Sequence, residues 1–304
     1  MLYFCHLLYY GNIYKPSEIK KYMVFENLIG PVSAKKNPMK LFFLGIVFSI
    51  IAVVFSLWIF KQQASLIMVF LVVIMSLPLV YFTFNQEEEE DWIISTEGGI
   101  IKEHSKAIKF LMYLFLGFTV GFSLAYIFLP DITVHNLFSA QLQTISNINN
   151  NISGGTIETS TFFLILTNNL KVMFFCLLFA FFFGAGAIFI LAWNASVISA
   201  AIGTYFRNGL AEYAHILGWN KAAIYLQLFV GGLLRYLLHG VFEIAAYFFA
   251  GLAGGIISIA LINYGIKNKG FKKIAIDVSV LMSIAIGLLI IGAIIEVFVT
   301  PLLF

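Results

Sequence analysis

Three ionisable residues stand four apart in an otherwise membrane-grade run, Arg235-Tyr-Leu-Leu-His239-Gly240-Val-Phe-Glu243. On one continuous helix they share a face, because positions i and i+4 are neighbours on the helix surface. Charged groups at membrane depth are costly and normally turn towards a bundle interior or a wet cavity, with partners. Four kinds of chemistry compete for such a stripe. One is an interhelical lock of Arg235 with Glu243, with His239 and Asn194 hydrogen-bonded across helices. The second is an ion or proton site at Glu243 in a transporter or channel. The third is an enzyme site, and the fourth a groove that docks a partner.

The enzyme reading finds little support in the spacing. His-x3-Glu with a single nearby histidine lacks the three protein ligands of a catalytic zinc. No His-Glu-x-x-His pair, no Gly-x-Ser-x-Gly elbow and no Gly-rich loop ending in Lys-Ser/Thr occurs. The sequence therefore leads us to expect no catalytic residues, no metal and no cofactor.

The elements that must position the stripe are transmembrane helices. Apolar residues make up 61% of the 304 and charged residues 11%, with a mean hydropathy of +0.95. Soluble domains are nearer a quarter charged, and several apolar runs here reach the ~20 residues that cross a bilayer. The net charge of +3 lies in loops, so it bears on orientation and not on nucleic acid. Cys176 lies inside an apolar run and reads as a small buried hydrophobe.

In chain order, residues 1–40 read as a cytoplasmic segment. Within it, residues 1–22 fit neither a span nor a cleavable signal, and Met23 offers a more natural start, so 1–22 read as an upstream extension. Residues 41–304 form one transmembrane domain. Leu41–Phe60 and Ala64–Phe84 make a tight antiparallel hairpin about Lys61-Gln62-Gln63. Residues 85–109 form a cytoplasmic charged loop, acidic from Glu87 to Asp91 and then basic at Lys102, Lys106 and Lys109. Phe110–Pro130 is the third span, with Gly117-xxx-Gly121 as a close-packing face. Residues 131–161 are rich in Asn, Ser and Thr, and no Lys or Arg lies between Lys109 and Lys171. This connection is expected outside the cytoplasm. A fourth span begins at Asn168-Asn169, with the pair as N-cap, and runs through Gly184 and Gly186 to Trp193, ahead of Asn194. Ala195–Phe206 is too short to cross and reads as an interfacial or re-entrant piece.

Ala222–Leu238 is short for a crossing, Gly240–Ile262 is comfortable, with Gly251-xxx-Gly255 as a packing face, and Ile274–Val299 is the last span. The basic loop Lys267–Lys273 belongs inside. With Arg207 also inside, an even number of crossings must separate the two. That makes Ala222–Leu238 a crossing, with a tight outer turn at Leu238-His239-Gly240 and seven spans in total. A re-entrant segment at 222–240 would give six.

The run Thr167-Asn168-Asn169-Leu-Lys171, then Gly184-x-Gly186, Trp193-Asn194 and His239-Gly240-Val-Phe-Glu243 with Gly251, Gly254 and Gly255, resembles the stage II sporulation protein M family over about residues 105–300. The resemblance implies a multi-pass membrane anchor without catalytic activity. In spore formers such an anchor gathers peptidoglycan-degrading partners at the septal membrane. It makes Asn169, Asn194, His239 and Glu243 the positions matching the family's polar signature, with Gly240 as a turn residue. Leu238 departs from the proline common before His-Gly, and the leading hairpin 41–84 is more than the family core needs. Homologues occur in organisms that never sporulate, so the family name does not carry a sporulation role.

Together these readings give an all-α polytopic transmembrane helical bundle of about six to seven spans in the cell membrane, with its N-terminus cytoplasmic. The expected role is a non-enzymatic scaffold that meets membrane lipids and other membrane or envelope proteins, with homo-oligomers compatible with its small-residue faces. The alternative is a small-solute or ion transporter with Glu243 and His239 as its polar site.

Overall fold

A computed structural model describes residues 38–93, 104–153, 158–183, 186–213, 219–266 and 268–303. Expectations resting on residues 1–37, Lys102 and Lys267 lie outside the described residues. The described chain is helical, with no strand. Its elements are α1 (Pro38–Ile59), α2 (Ala64–Ile93), α3 (Ser105–Phe128), α4 (Asp131–Leu137), α5 (Ser139–Ser153), α6 (Glu158–Phe183), α7 (Ala187–Glu212), α8 (Trp219–Tyr264) and α9 (Lys269–Ile294). A π-helical turn (Ile295–Val299) and the short α10 (Thr300–Leu303) follow.

Among the described residues, seven helical segments are long and apolar enough to cross a membrane, within α1, α2, α3, α6, α7, the second half of α8, and α9 with α10. An all-α polytopic bundle is therefore the architecture. The hairpin of α1 and α2 turns on Phe60–Gln63, where Gln63 N–H donates to Phe60 O at 2.9 Å. α1 and α3 then cross with backbones in contact. A Cβ built on Gly117 would lie 2.3 Å from Phe42 O, and one on Gly121 2.6 Å from Ser49 Cβ. Small residues are the means by which helices associate closely where lipid gives no hydrophobic drive. Ser49 Oγ donates to Gly45 O on its own helix at 2.9 Å.

Three boundaries differ from the sequence expectation. First, two helices stand where one span was expected to run through Gly184 and Gly186: α6 stops at Phe183 and α7 starts at Ala187. The apolar runs on either side are each long enough to span; glycine content alone does not end a helix here, since Gly231-Gly232 lie inside the unbroken α8. Second, α7 is consequently one full-length helix that contains Ala195–Phe206, which is neither interfacial nor re-entrant. Third, α8 is unbroken for 46 residues. Leu238-His239-Gly240 lies within it, and among the described residues the one positive-φ glycine is Gly265. Ala222–Leu238 is thus no separate crossing.

The total of seven survives because the error in parity lies at Arg207. Its guanidinium pairs with Asp131 and caps the last carbonyls of α3, Leu129 O and Ile127 O. Arg207 therefore lies at the end of the bundle where the Asn-rich connection begins, not at the opposite end. A cation at a helix C-terminus meets both orphan carbonyls and the negative end of the dipole, and Arg207 also sits 5.6 Å over the Tyr126 ring. Three spans, in α6, α7 and α8, then separate that end from the α8–α9 connection.

The connection after α3 is folded. α4 buries Val134 and Leu137, and Phe138, between α4 and α5, is buried with them. The backbone of α2 stays helical to Ile93, through the acidic run, and Lys106 and Lys109 are exposed in the first turns of α3.

Candidate functional site

α6 and α8 bring three polar side chains together. Asn169 Nδ2 on α6 donates to Glu243 Oε1 on α8 at 2.5 Å. One turn further along α8, Tyr247 Oη donates to Asn169 Oδ1 at 3.2 Å. Glu296 lies in the π-turn that follows α9. Asn169 and Tyr247 are buried at 7% and 2% exposure, and both carboxyls are partly buried. Asn169 is interior to a helix that starts at Glu158. It does not cap, because the Thr-rich residues before it continue the helix.

α9 approaches this cluster closely. A Cβ added at Gly292 would come within 3.2 Å of Glu243 Cγ and 3.4 Å of Phe242 Cβ. Three residues later, the chain widens into a π-turn, a geometry that recurs at functional sites in α-helices, and Glu296 lies in that turn. Thr300 Oγ1 donates to Ile295 O at 3.1 Å and accompanies the widened turn.

The other candidate residues are arranged differently from the expected lock. Arg235 is exposed and pairs with no carboxylate among the described residues. Two turns of helix, ~12 Å, separate it from Glu243. His239, one turn before Glu243, is partly buried, and its Nδ1 is shielded from solvent without a hydrogen-bond partner. Gly240 is buried within the helix, yet an added Cβ would meet nothing within 4 Å, so neither a turn nor a close contact calls for glycine there. Asn194 lies outside the cluster: its Nδ2 donates to Ile190 O on its own helix at 2.8 Å. Cys176 is fully buried as a free thiol among apolar side chains.

A second polar network lies away from the first. The fully buried Gln141 of α5 accepts from Ser65 Oγ of α2 at 2.8 Å and donates from Nε2 to Ser196 Oγ of α7 at 3.1 Å. Ser65 Oγ also accepts from Ala140 N–H at 3.2 Å. Sequence reasoning missed Gln141 and Tyr247. Tyr247 extends the i+4 stripe of Arg235, His239 and Glu243 by one step. Gln141 follows the apolar Leu137 and Phe138 at helical spacing. Both signals are present in the sequence.

Among the described residues no group of three His, Cys, Asp or Glu side chains could hold a metal ion. A crevice between α6, α8 and α9 is lined by Phe174, Leu177, Phe181, Ile257, Val278 and Met282 among others, with no polar surface. It offers nothing to orient a polar substrate.

The chain matches the family model described as Stage II sporulation protein M over residues 7–301. That match takes in the α1–α2 hairpin, which the motifs alone placed outside the family core. No curated protein and no solved structure matches the chain. A near end-to-end family match and seven apolar helices converge on one assignment: this chain is a multi-pass membrane protein that belongs to the stage II sporulation protein M family.

Proposed function

We propose that this protein is a non-enzymatic membrane scaffold that recruits partner proteins. The observation that carries the reading is that two sets of its intramembrane polar groups bond to one another across helices. Asn169, Tyr247 and Glu243 form one network, and Gln141, Ser65 and Ser196 another. Polar groups satisfied in this way tie helices together. A transport path instead needs polar groups facing water or substrate.

The chain is oriented with its N-terminus in the cytoplasm of a cell-membrane protein. Lys40, Lys106, Lys109 and Lys272 gather at one end of the bundle, and the positive-inside rule assigns that end to the cytoplasm. α4 and α5 then face outward, and α5 offers an Asn-rich segment to envelope partners.

Proximity crosslinking in native membranes, read by mass spectrometry, tests the scaffold. We expect a reproducible set of partners with the unaltered chain and the same set with Glu243→Gln. Loss of partners only in Glu243→Gln would move the docking site to the cluster. Absence of any reproducible partner would defeat the scaffold reading and direct attention to flux assays in liposomes.

A further inference from the structure

Asn169 and Lys171 stand two positions apart on α6, ~200° around it, so while Asn169 meets α8, Lys171 faces away. Lys171 is exposed, with Thr167 and Asn168 exposed one turn before it on the same side. The apolar stretch of α6 is Thr161–Phe182. Lys171 is ten positions from one end of it and eleven from the other (171 − 161 and 182 − 171), ~15 Å and ~16 Å. A four-carbon stem spans little more than one helical turn, ~5–6 Å, so the ammonium cannot snorkel to either interface. Among the described residues Lys171 forms no ion pair. Charges at membrane depth normally face a partner. This one faces out of the bundle, from the least buried of the seven spans.

The same face carries a helix-packing pattern. Leu164, Thr167, Lys171, Phe174, Leu178 and Phe181 recur in steps of three and four, the repeat that seats one helix against another. Phe174, Leu178 and Phe181 also line the apolar crevice between α6, α8 and α9. Lipid cannot complete such a face, because headgroups lie ~15 Å from the midplane. A second copy, inserted the same way round, brings no free carboxyl to this depth among the described residues. Glu243 is engaged by Asn169. Glu296 lies beyond Gly292, which packs beside His239 and Glu243, towards the Asn-rich end, and Asp277 is eight positions into α9 (277 − 269), nearer the basic end. We propose that this face of α6 docks a transmembrane helix of a partner protein, with a midplane Asp or Glu on Lys171 and apolar side chains in the crevice. The proposal rests on the scaffold reading and gives it a docking face.

The test uses the full chain in lipid vesicles with synthetic single-span Leu/Ala peptides whose central residue is Glu, Leu or Lys. A donor label at Ile132→Cys, an exposed position on α4, in a Cys5→Ser background, and an acceptor on the peptide report association by energy transfer. We expect the Glu-centred peptide to bind roughly tenfold more tightly than the Leu-centred one, as a polar pair between membrane helices allows. Lys171→Leu should erase that preference, and Lys171→Glu should transfer it to the Lys-centred peptide. In native membranes, a photoreactive residue in place of Leu164 should crosslink to a membrane span that carries a midplane Asp or Glu. Equal binding of the three peptides, or a preference that survives Lys171→Leu, would overturn the proposal. So would energy transfer between labelled copies of the chain that is lost in Lys171→Leu, since the face would then belong to a second copy. If native membranes yield no partner at all, recruitment itself fails; if they yield partners but none through Leu164, this face alone fails.

Discussion

Replacing Gly117 and Gly240 by alanine, one at a time, should separate two kinds of glycine in one chain. At Gly117 the new methyl would lie 2.3 Å from Phe42 O and 2.9 Å from Gly45 Cα. Both neighbours are backbone, so no side chain can rotate away. A carbon–oxygen contact relaxes near ~3.3 Å, so α1 and α3 must part by ~1 Å. A gap of that size forfeits about a quarter to a half of each dispersion contact across the crossing. Overpacking of this kind costs ~1–3 kcal/mol, and two rigid neighbours place Gly117→Ala at the upper end. At Gly240 nothing lies within 4 Å of the new methyl, and alanine gains up to about 1 kcal/mol in helix preference. The two variants should therefore differ by ~2–4 kcal/mol, between about one and three powers of ten in the unfolding constant. Reversible unfolding in mixed micelles with increasing SDS, followed by circular dichroism, measures this directly. Gly117→Ala as stable as the parent would refute the backbone-contact crossing. A large destabilisation in Gly240→Ala would refute the unbroken α8 and restore a turn there.

Three further outcomes follow from the same geometry. Arg207→Ala should lower stability by ~1–3 kcal/mol, since it uncaps α3 and leaves Asp131 unpaired. Arg207→Lys should recover little of this, because one ammonium cannot reproduce the guanidinium fork over Tyr126; thermal melts of the three proteins check both statements. Gln141→Leu should cost ~1–3 kcal/mol by stranding Ser65 and Ser196, and hydrogen exchange should show lost protection confined largely to α4 and α5. Tyr247→Phe should cost only ~1 kcal/mol, less than Asn169→Leu, which leaves a Glu243 oxygen without its donor; detergent unfolding curves of the two variants give the order.

Fold class is legible in the sequence because membrane physics acts on long stretches. Runs such as 41–60 and 64–84 can only be buried in lipid, and Gly117-xxx-Gly121 marks the α1–α3 crossing. Gly184-x-Gly186 reads as the middle of a span, since apolar flanks hide where one helix ends and the next begins. From that one misreading come a truncated α7, a misplaced Arg207 and a supposed turn at Gly240. The i+4 stripe correctly puts His239 and Glu243 on one face of α8. The partner of Glu243 is not legible, because Asn169 lies 74 positions away in sequence (243 − 169). Nothing local announces which helices become neighbours. Arg235 is the natural guess for Glu243 on charge alone, yet two turns of rigid helix keep them apart.

The central claim is that Glu243 is held by Asn169 across the α6–α8 contact. A double-mutant cycle on Asn169→Leu and Glu243→Leu, measured by reversible unfolding in the same micelles, tests it most directly. The 2.5 Å hydrogen bond predicts a coupling energy of ~0.5–3 kcal/mol, as for residues in contact. Single-variant effects that simply add, to within about 0.5 kcal/mol, would contradict the contact and with it the closed polar cluster.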